Sequence, residues 1–424
     1  MARFLFATFE GGGHVQPMLL AARGLIGLGH EALVISDACN ATDAAPLGVP
    51  LRAWRQAPSR TERTPESDPI KDWLTRTPLE TIQALCDGIM CGPAGRYAAD
   101  AAEAIDRFAP DLVVSHELLF GVMAAAEAKR APLALFAANV WSLPTVPRST
   151  PFGAGLPPPA TDFDFDFYAG LAQATRAGYQ HGLPALNAAR GALGLRPVTD
   201  IFEQLDAAGR ILLATSRAFD FEAPLPAVFR YVGPYLADPA WVGDWTAPWP
   251  VDDVRPLVLV SFSTMYQGQE PVLKRVIEAL GRLDVRGLVT LGPVLSPADF
   301  PAPDNVWVAA SAPHTRVLPL AAAVVTHGGH ASALRPLIAG MPLVCIPLGR
   351  DQADNAARVT HRGAGLRLLP DAPADEIRRA IQTVLQDPSY RQAAAALGAR
   401  IAADAAARSA EAELIQFAKE AKSR

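Results

Sequence analysis

The 424-residue sequence is poor in cysteine and in charge, and it has no long apolar run. Its four cysteines, Cys39, Cys86, Cys91 and Cys345, form no CxxC pair. That argues against a disulfide framework or a zinc site and suits a reducing compartment. Charged residues are 19 %, the net charge is −5, and no basic run occurs. Neither a nucleic-acid partner nor an anionic membrane surface therefore finds support. Nothing approaches 18 consecutive apolar residues, and residues 3–9 are too short for a signal-peptide core, so the expectation is a cytoplasmic protein. His116-Glu117-Leu118-Leu119-Phe120 is not HExxH, and no strand leads into GxGxxG with an acid about twenty residues on. Zinc-protease and nicotinamide readings fall away.

What is present is core material. Apolar residues make up 50 % of the chain, and its length suffices for two domains. Arg3–Phe9 reads as a buried strand, Val15–Leu28 as a helix with Pro17 in its first turn, and Ala32–Ser36 as a second strand. This is a βαβ unit, so a parallel sheet with right-handed crossovers is predicted. Leu112–Ser115, Leu133–Phe136 and Ile211–Ala214 continue the series. A second series runs through Leu257–Phe262, Gly287–Thr290, Val306–Ala309, Ala322–Val325 and Leu343–Ile346. Between the two, Val232–Pro250 is dense in Pro, Gly and Trp, which marks an interdomain linker. The end, from about Ser389, is Ala-rich and helical.

Two places stand out chemically. Gly11-Gly12-Gly13-His14 follows the first strand, at the edge where open parallel sheets bind ligands, and a His there can serve as a general base. Thr326-His327-Gly328-Gly329 ends a later strand and opens a helix over about Ser332–Ala339, closed by Gly340. A helix N-terminus suits a pyrophosphate. Gly349-Arg350-Asp351-Gln352 and Asn355 follow some two dozen residues later.

The run from Thr326 to Val359, together with GGGHVQPMLLAARGLIGLGHE, resembles the UDP-glycosyltransferase superfamily in its bacterial macrolide and natural-product branch. The resemblance covers nearly the whole chain. It implies an α/β protein of GT-B fold, with two Rossmann-like parallel-sheet domains facing each other across a cleft. The expected division is residues 1–232 for the acceptor, 233–254 as linker, 255–400 for the nucleotide sugar, and 401–424 as a helix returning to the first domain. The implied reaction is an inverting, metal-independent transfer from a UDP- or TDP-sugar to a hydroxyl of an apolar aglycone, with no cofactor. The protein acting would be a monomer or homodimer.

Carried over by position, His14 is the base. The group that assists it is usually an Asp, yet the matching segment reads Ser-His-Glu, which leaves His116, Glu117 or neither. Donor candidates are Ser263, Thr264, Ser311, Ala312, His314, His327, Gly328, Gly329, His330, Asp351 and Gln352. Arg335 stands where the family commonly has a ribose-binding Glu; Arg accepts no hydrogen bonds, so ribose recognition differs or Arg335 serves a local ion pair. Two Pro- and aromatic-bearing insertions, Pro58–Pro93 and Trp141–Pro197, offer an apolar acceptor wall with Met90, Trp141, Phe152 and Phe167 as candidates, or simply pack on the sheet. Asp162-Phe163-Asp164-Phe165-Asp166 contains DxD, a metal-diphosphate motif of another fold, but sits in an insertion rather than at a strand end. A nucleotide-sugar 2-epimerase and a non-catalytic helper homologue remain as alternatives.

Overall fold

The computed structural model describes residues 1–239, 242, 243 and 245–423. Ala240, Trp241 and Asp244 of the expected linker and Arg424 of the tail lie outside the described residues.

Two parallel sheets form the frame. The first comprises β1 (Arg3–Ala7), β2 (Glu31–Ser36), β3 (Leu51–Ala53), β4 (Leu112–His116), β5 (Leu133–Ala137), β6 (Arg210–Leu213) and β7 (Phe229–Tyr231). Their spatial order is 3-2-1-4-5-6-7. The second comprises β8 (Leu257–Ser261), β9 (Arg286–Thr290), β10 (Val306–Ala309), β11 (Ala321–Thr326), β12 (Leu343–Cys345) and β13 (Gly365–Arg367), in the order 10-9-8-11-12-13. This is the GT-B architecture.

The strands are apolar on both faces because helices cover both faces. Alternation along β1 sends Phe4 and Phe6 into one core and Leu5 and Ala7 into the other. In β8, Val258 and Val260 face one layer while Leu257 and Leu259 face the opposite one. The edge strands β3, β7 and β13 have three residues each, too few to show a period in the sequence.

Both orders reverse once, and each reversal opens a crevice beyond the strand ends. In the first sheet the chain moves outward from β1 to β3 and then crosses to β4, so β1 and β4 are neighbours, with Ala7 beside Ser115. In the second, β8 lies beside β11, with Ser261 opposite Thr326. The segments after these four strands carry His14, His116, Ser263–Thr264 and His327–Gly329.

The Ala-rich end forms two helices, Pro388–Ala407 and Ala410–Lys422, and Ser409 caps the second by accepting from Ala412 N–H. That last helix lies on the first half: Tyr235 donates to Glu411 (2.6 Å), and Arg210 and Lys422 pair with Glu420 and Asp111. Among the described residues no helix is long and apolar enough to cross a membrane.

Candidate active site

The loop after β1 is held from within. Glu10 accepts from Gly12 N–H (2.8 Å) and from Arg63 Nε (3.0 Å), and Arg63 reaches on to Asn40 and Asp43. Gly12 has φ +80°, and a Cβ there would lie 2.8 Å from Met265 Sδ in the second half. The left-handed φ favours glycine there, while the flexible Met265 side chain could give way. The helix Val15–Gly27 then begins, with His14 at its N-cap.

His14 and His116 meet at this edge. His14 Nδ1 lies 2.9 Å from His116 Nε2, with ring centroids 4.7 Å apart, and Phe9 packs edge-on against both rings. It is therefore His116, not Glu117, that touches His14. Burial and then the Arg350 charge lower the His14 pKa to about 4. Burial, then His14, holds His116 well below the usual histidine value. Both rings are neutral near pH 7. Glu117 is buried as well, and burial pushes its carboxyl up to about 8.

A cavity of about 220 Å³ opens beside Phe9, lined by Glu10, Asp37, Arg60, Ile89 and Tyr97 among others. The four sequence candidates for an acceptor wall are not gathered there. Met90 is a fully buried core residue. Trp141 stacks edge-on against Phe229 and donates to Thr145 Oγ1. Phe152 packs against a cluster that includes Ala333, Leu334 and Leu337 of the second half. Phe167 is exposed and stacked on Phe163.

Across the cleft, β11 ends at Thr326, whose hydroxyl accepts from Gly328 N–H (3.2 Å). Gly328 adopts φ +86°, and the helix His330–Ile338 follows. Its first-turn N–H groups have no helical acceptor and face the space beyond the strand ends. One is taken: His330 N–H donates to Asp351 Oδ2 (3.2 Å), which also accepts from Asn355 (2.8 Å). His330 Nε2 reaches Thr215 Oγ1 of the first half at 2.8 Å. The His327 ring lies over Phe262, and burial brings its pKa to about 4.

The Asp351–Gln352 pair divides its work. Gln352 is buried; its Oε1 accepts from Leu348 N–H and Gly349 N–H, while its Nε2 donates to Gln267 (2.8 Å). It shapes the loop, whereas Asp351 stays partly exposed toward the cleft. Ser263 is similarly spent, its hydroxyl accepting from Met265 N–H, and Thr264 is exposed. In the 311–314 loop Ala312 is buried, Ser311 half-buried, and His314 sits 3.4 Å from Thr290 Oγ1. Arg335 takes the local-pair role: it bonds to Ala237 O and pairs with Asp238 at 3.4 Å.

The DxD stretch has a structural job. It opens the helix Asp162–Tyr179, and Asp164 with Thr161 forms a reciprocal capping box. Among the described residues no group of three or more His, Cys, Asp or Glu could hold a metal ion.

Residues 274–420 match the family described as erythromycin biosynthesis protein CIII-like, C-terminal domain. Over 413 residues the chain is 29 % identical to 4'-demethylrebeccamycin synthase of Lentzea aerocolonigenes, covering 93 % of this chain and 94 % of that one. The chain is a glycosyltransferase similar to those of bacterial natural-product biosynthesis. Solved structures agree in fold: CalG4, the calicheamicin glycosyltransferase, superposes with TM-score 0.74 at 22 % identity, covering 98 % of each chain. VinC in complex with DTDP gives TM-score 0.68 at 22 % identity over 99 % of this chain and 100 % of that one.

This glycosyltransferase also has cleft residues that the sequence did not single out. Asp72, from the first insertion, grips Arg350 beside Asp351, and Trp73 packs edge-on against Tyr266. Asp354 accepts from Gly153 and Gly155 N–H, tying the second insertion to the helix Gln352–His361 of the second half. Arg350 stood in the recognisable run, but Asp72 lay in a stretch without period or motif, and only three-dimensional proximity gives it meaning.

Proposed function

We propose that this glycosyltransferase moves a sugar from a TDP- or UDP-sugar to a hydroxyl of an apolar natural-product aglycone, with inversion and without a metal. His14 is the general base, and the acceptor enters beside Phe9. The observation that carries the reading is the placement of the His14–His116 pair at one sheet's crevice and the His327–Gly329 turn at the other's. The Arg350 charge from the donor loop bears on His14, which supports the two crevices sharing one reaction space. The acceptor oxygen gives its proton to His14 Nε2 and attacks the anomeric carbon, while the bond to the diphosphate breaks on the opposite face. Free N–H groups at the start of the helix His330–Ile338 take up the charge developing on the leaving group. The thymidine diphosphate bound by VinC supports a TDP donor. Asp164 is engaged as a helix cap, which supports a metal-free site.

The test has two arms. Thermal shift with TDP, UDP and GDP should show stabilisation by at least one; none would remove the donor site. Mass spectrometry of matched sugar donors with an aglycone panel should then show sugar addition that His14→Ala abolishes. Full transfer by that variant would overturn the mechanism, and an isomerised sugar from donor alone would favour the 2-epimerase.

A further inference from the structure

Two buried groups compete for one nitrogen behind the base. His116 Nδ1 accepts from Leu118 N–H at 3.1 Å and lies 3.2 Å from Glu117 Oε2. That oxygen is buried and has no hydrogen-bond partner. A neutral imidazole carries a single N–H, so Nδ1 cannot both accept from Leu118 and donate to Glu117.

The two choices have opposite effects on His14. With Leu118 donating, His116 holds its hydrogen on Nε2 and gives it to His14 Nδ1. Neutral His14 then carries its own hydrogen on Nε2 and has no lone pair there for an acceptor proton. With the Glu117 carboxylate accepting Nδ1–H, His116 Nε2 becomes the acceptor for His14 Nδ1–H. His14 Nε2 is then bare. The change balances as the loss of one proton: Glu117 O–H passes to His116 Nδ1, His116 Nε2–H to His14 Nδ1, and His14 Nε2–H to water.

We propose that Glu117 is a positioning residue that selects, through His116, the His14 tautomer able to accept a proton. This rests on His14 acting as the general base. An Asp in direct contact would fix the tautomer permanently, whereas the relay leaves it switchable. The groups facing it are Tyr179, whose ionisation is disfavoured by burial, then Cys86 and Glu117, and, at His14, Arg350 and His330.

The test is nitrogen-15 NMR of the histidine-labelled full chain, titrated from pH 6 to 10 without substrate. In the wild type the His14 Nε2 signal should move from the pyrrole-type to the pyridine-type position. In Glu117→Leu, where Leu118 is the one remaining partner of His116 Nδ1, it should stay pyrrole-type throughout. Removing a buried carboxyl whose Oε2 has no partner should leave that variant melting near the wild-type temperature. A His14 signal that does not switch in the wild type, or that still switches in Glu117→Leu, overturns the proposal. Should the variant not fold, the wild-type titration decides alone. Transfer activity surviving His14→Ala would remove the base assignment while leaving these spectra unaffected, so the two failures are distinguishable.

Discussion

Arg350 and Asp72 meet across the cleft as a two-point ion pair, Nε to Oδ2 at 2.6 Å and Nη2 to Oδ1 at 2.9 Å. Arg350 holds a left-handed backbone (φ 56°) immediately before Asp351, and Asp68 stands 3.7 Å from its Nη2. An insertion of the first half thus positions the loop of the second that carries Arg350 and Asp351.

Asp72→Ala should leave a mostly buried guanidinium with fewer partners and cost about 1–3 kcal/mol. Urea denaturation should show the lower midpoint. Loosened closure should also raise donor hydrolysis in the absence of acceptor, measured by nucleoside diphosphate release. An unchanged midpoint and hydrolysis rate would mean that the pair does not hold the cleft.

The pH dependence should depart from that of an ordinary histidine. His14 stays neutral down to about 4 and Glu117 keeps its proton up to about 8. Deprotonation is the activating direction for both, so kcat/KM should rise with pH in steps near those values, with no inflection near 6.5. Arg350→Gln removes a nearby positive charge and should move the lower step upward. Glu117→Leu should remove the upper one and hold the rate low at every pH, because His14 then keeps its hydrogen on Nε2. A single step at 6.5 in the pH–rate profile would contradict both assignments.

The turn after β11 should tolerate no Cβ. In Gly329→Ala the new atom would lie 2.5 Å from His327 Nε2, and in Gly328→Ala it would meet Gln352 O at 3.1 Å with φ still positive. Forcing an L-residue into the left-handed region adds roughly 1–2 kcal/mol. TDP affinity by calorimetry should fall about tenfold or more in both. Gly191→Ala, where a Cβ meets nothing within 4 Å, should bind as the wild type does.

Arg335→Ala should act on the linker rather than on ribose. Its partners are Asp238 and Ala237 O, and Asp238 also accepts from Thr315 N–H and Oγ1. We expect a stability loss of about 1–2 kcal/mol, with TDP affinity within about threefold. A much larger loss of affinity would return Arg335 to the nucleoside site.

Much of the frame was legible because buried parallel strands are short apolar runs and glycine marks the turns between them. The expected strands from Arg3 to Ile346 appear within a residue or two of their limits. The insertions were not legible in the same way. Phe167 suggested an apolar wall, yet it stands exposed and stacked on Phe163, on a helix begun by the Asp164 capping box. Met90 carried no signal separating a core methionine from a pocket one. The Ser-His-Glu segment left His116 and Glu117 open, because one residue along a strand end reverses which side chain faces the crevice.

By itself the sequence determined the reaction family, the two parallel sheets and the residues at their ends, since periodicity and glycine placement are local properties. Tertiary structure alone decided which side chains are free to act. It occupied Gln352 and Ser263 within their own loops, turned Arg335 to the linker, and brought Asp72 to Arg350. It also set His116 between His14 and Glu117. Such assignments depend on hydrogen-bond partners distant in the chain, and a buried polar group does whatever its neighbours leave it free to do.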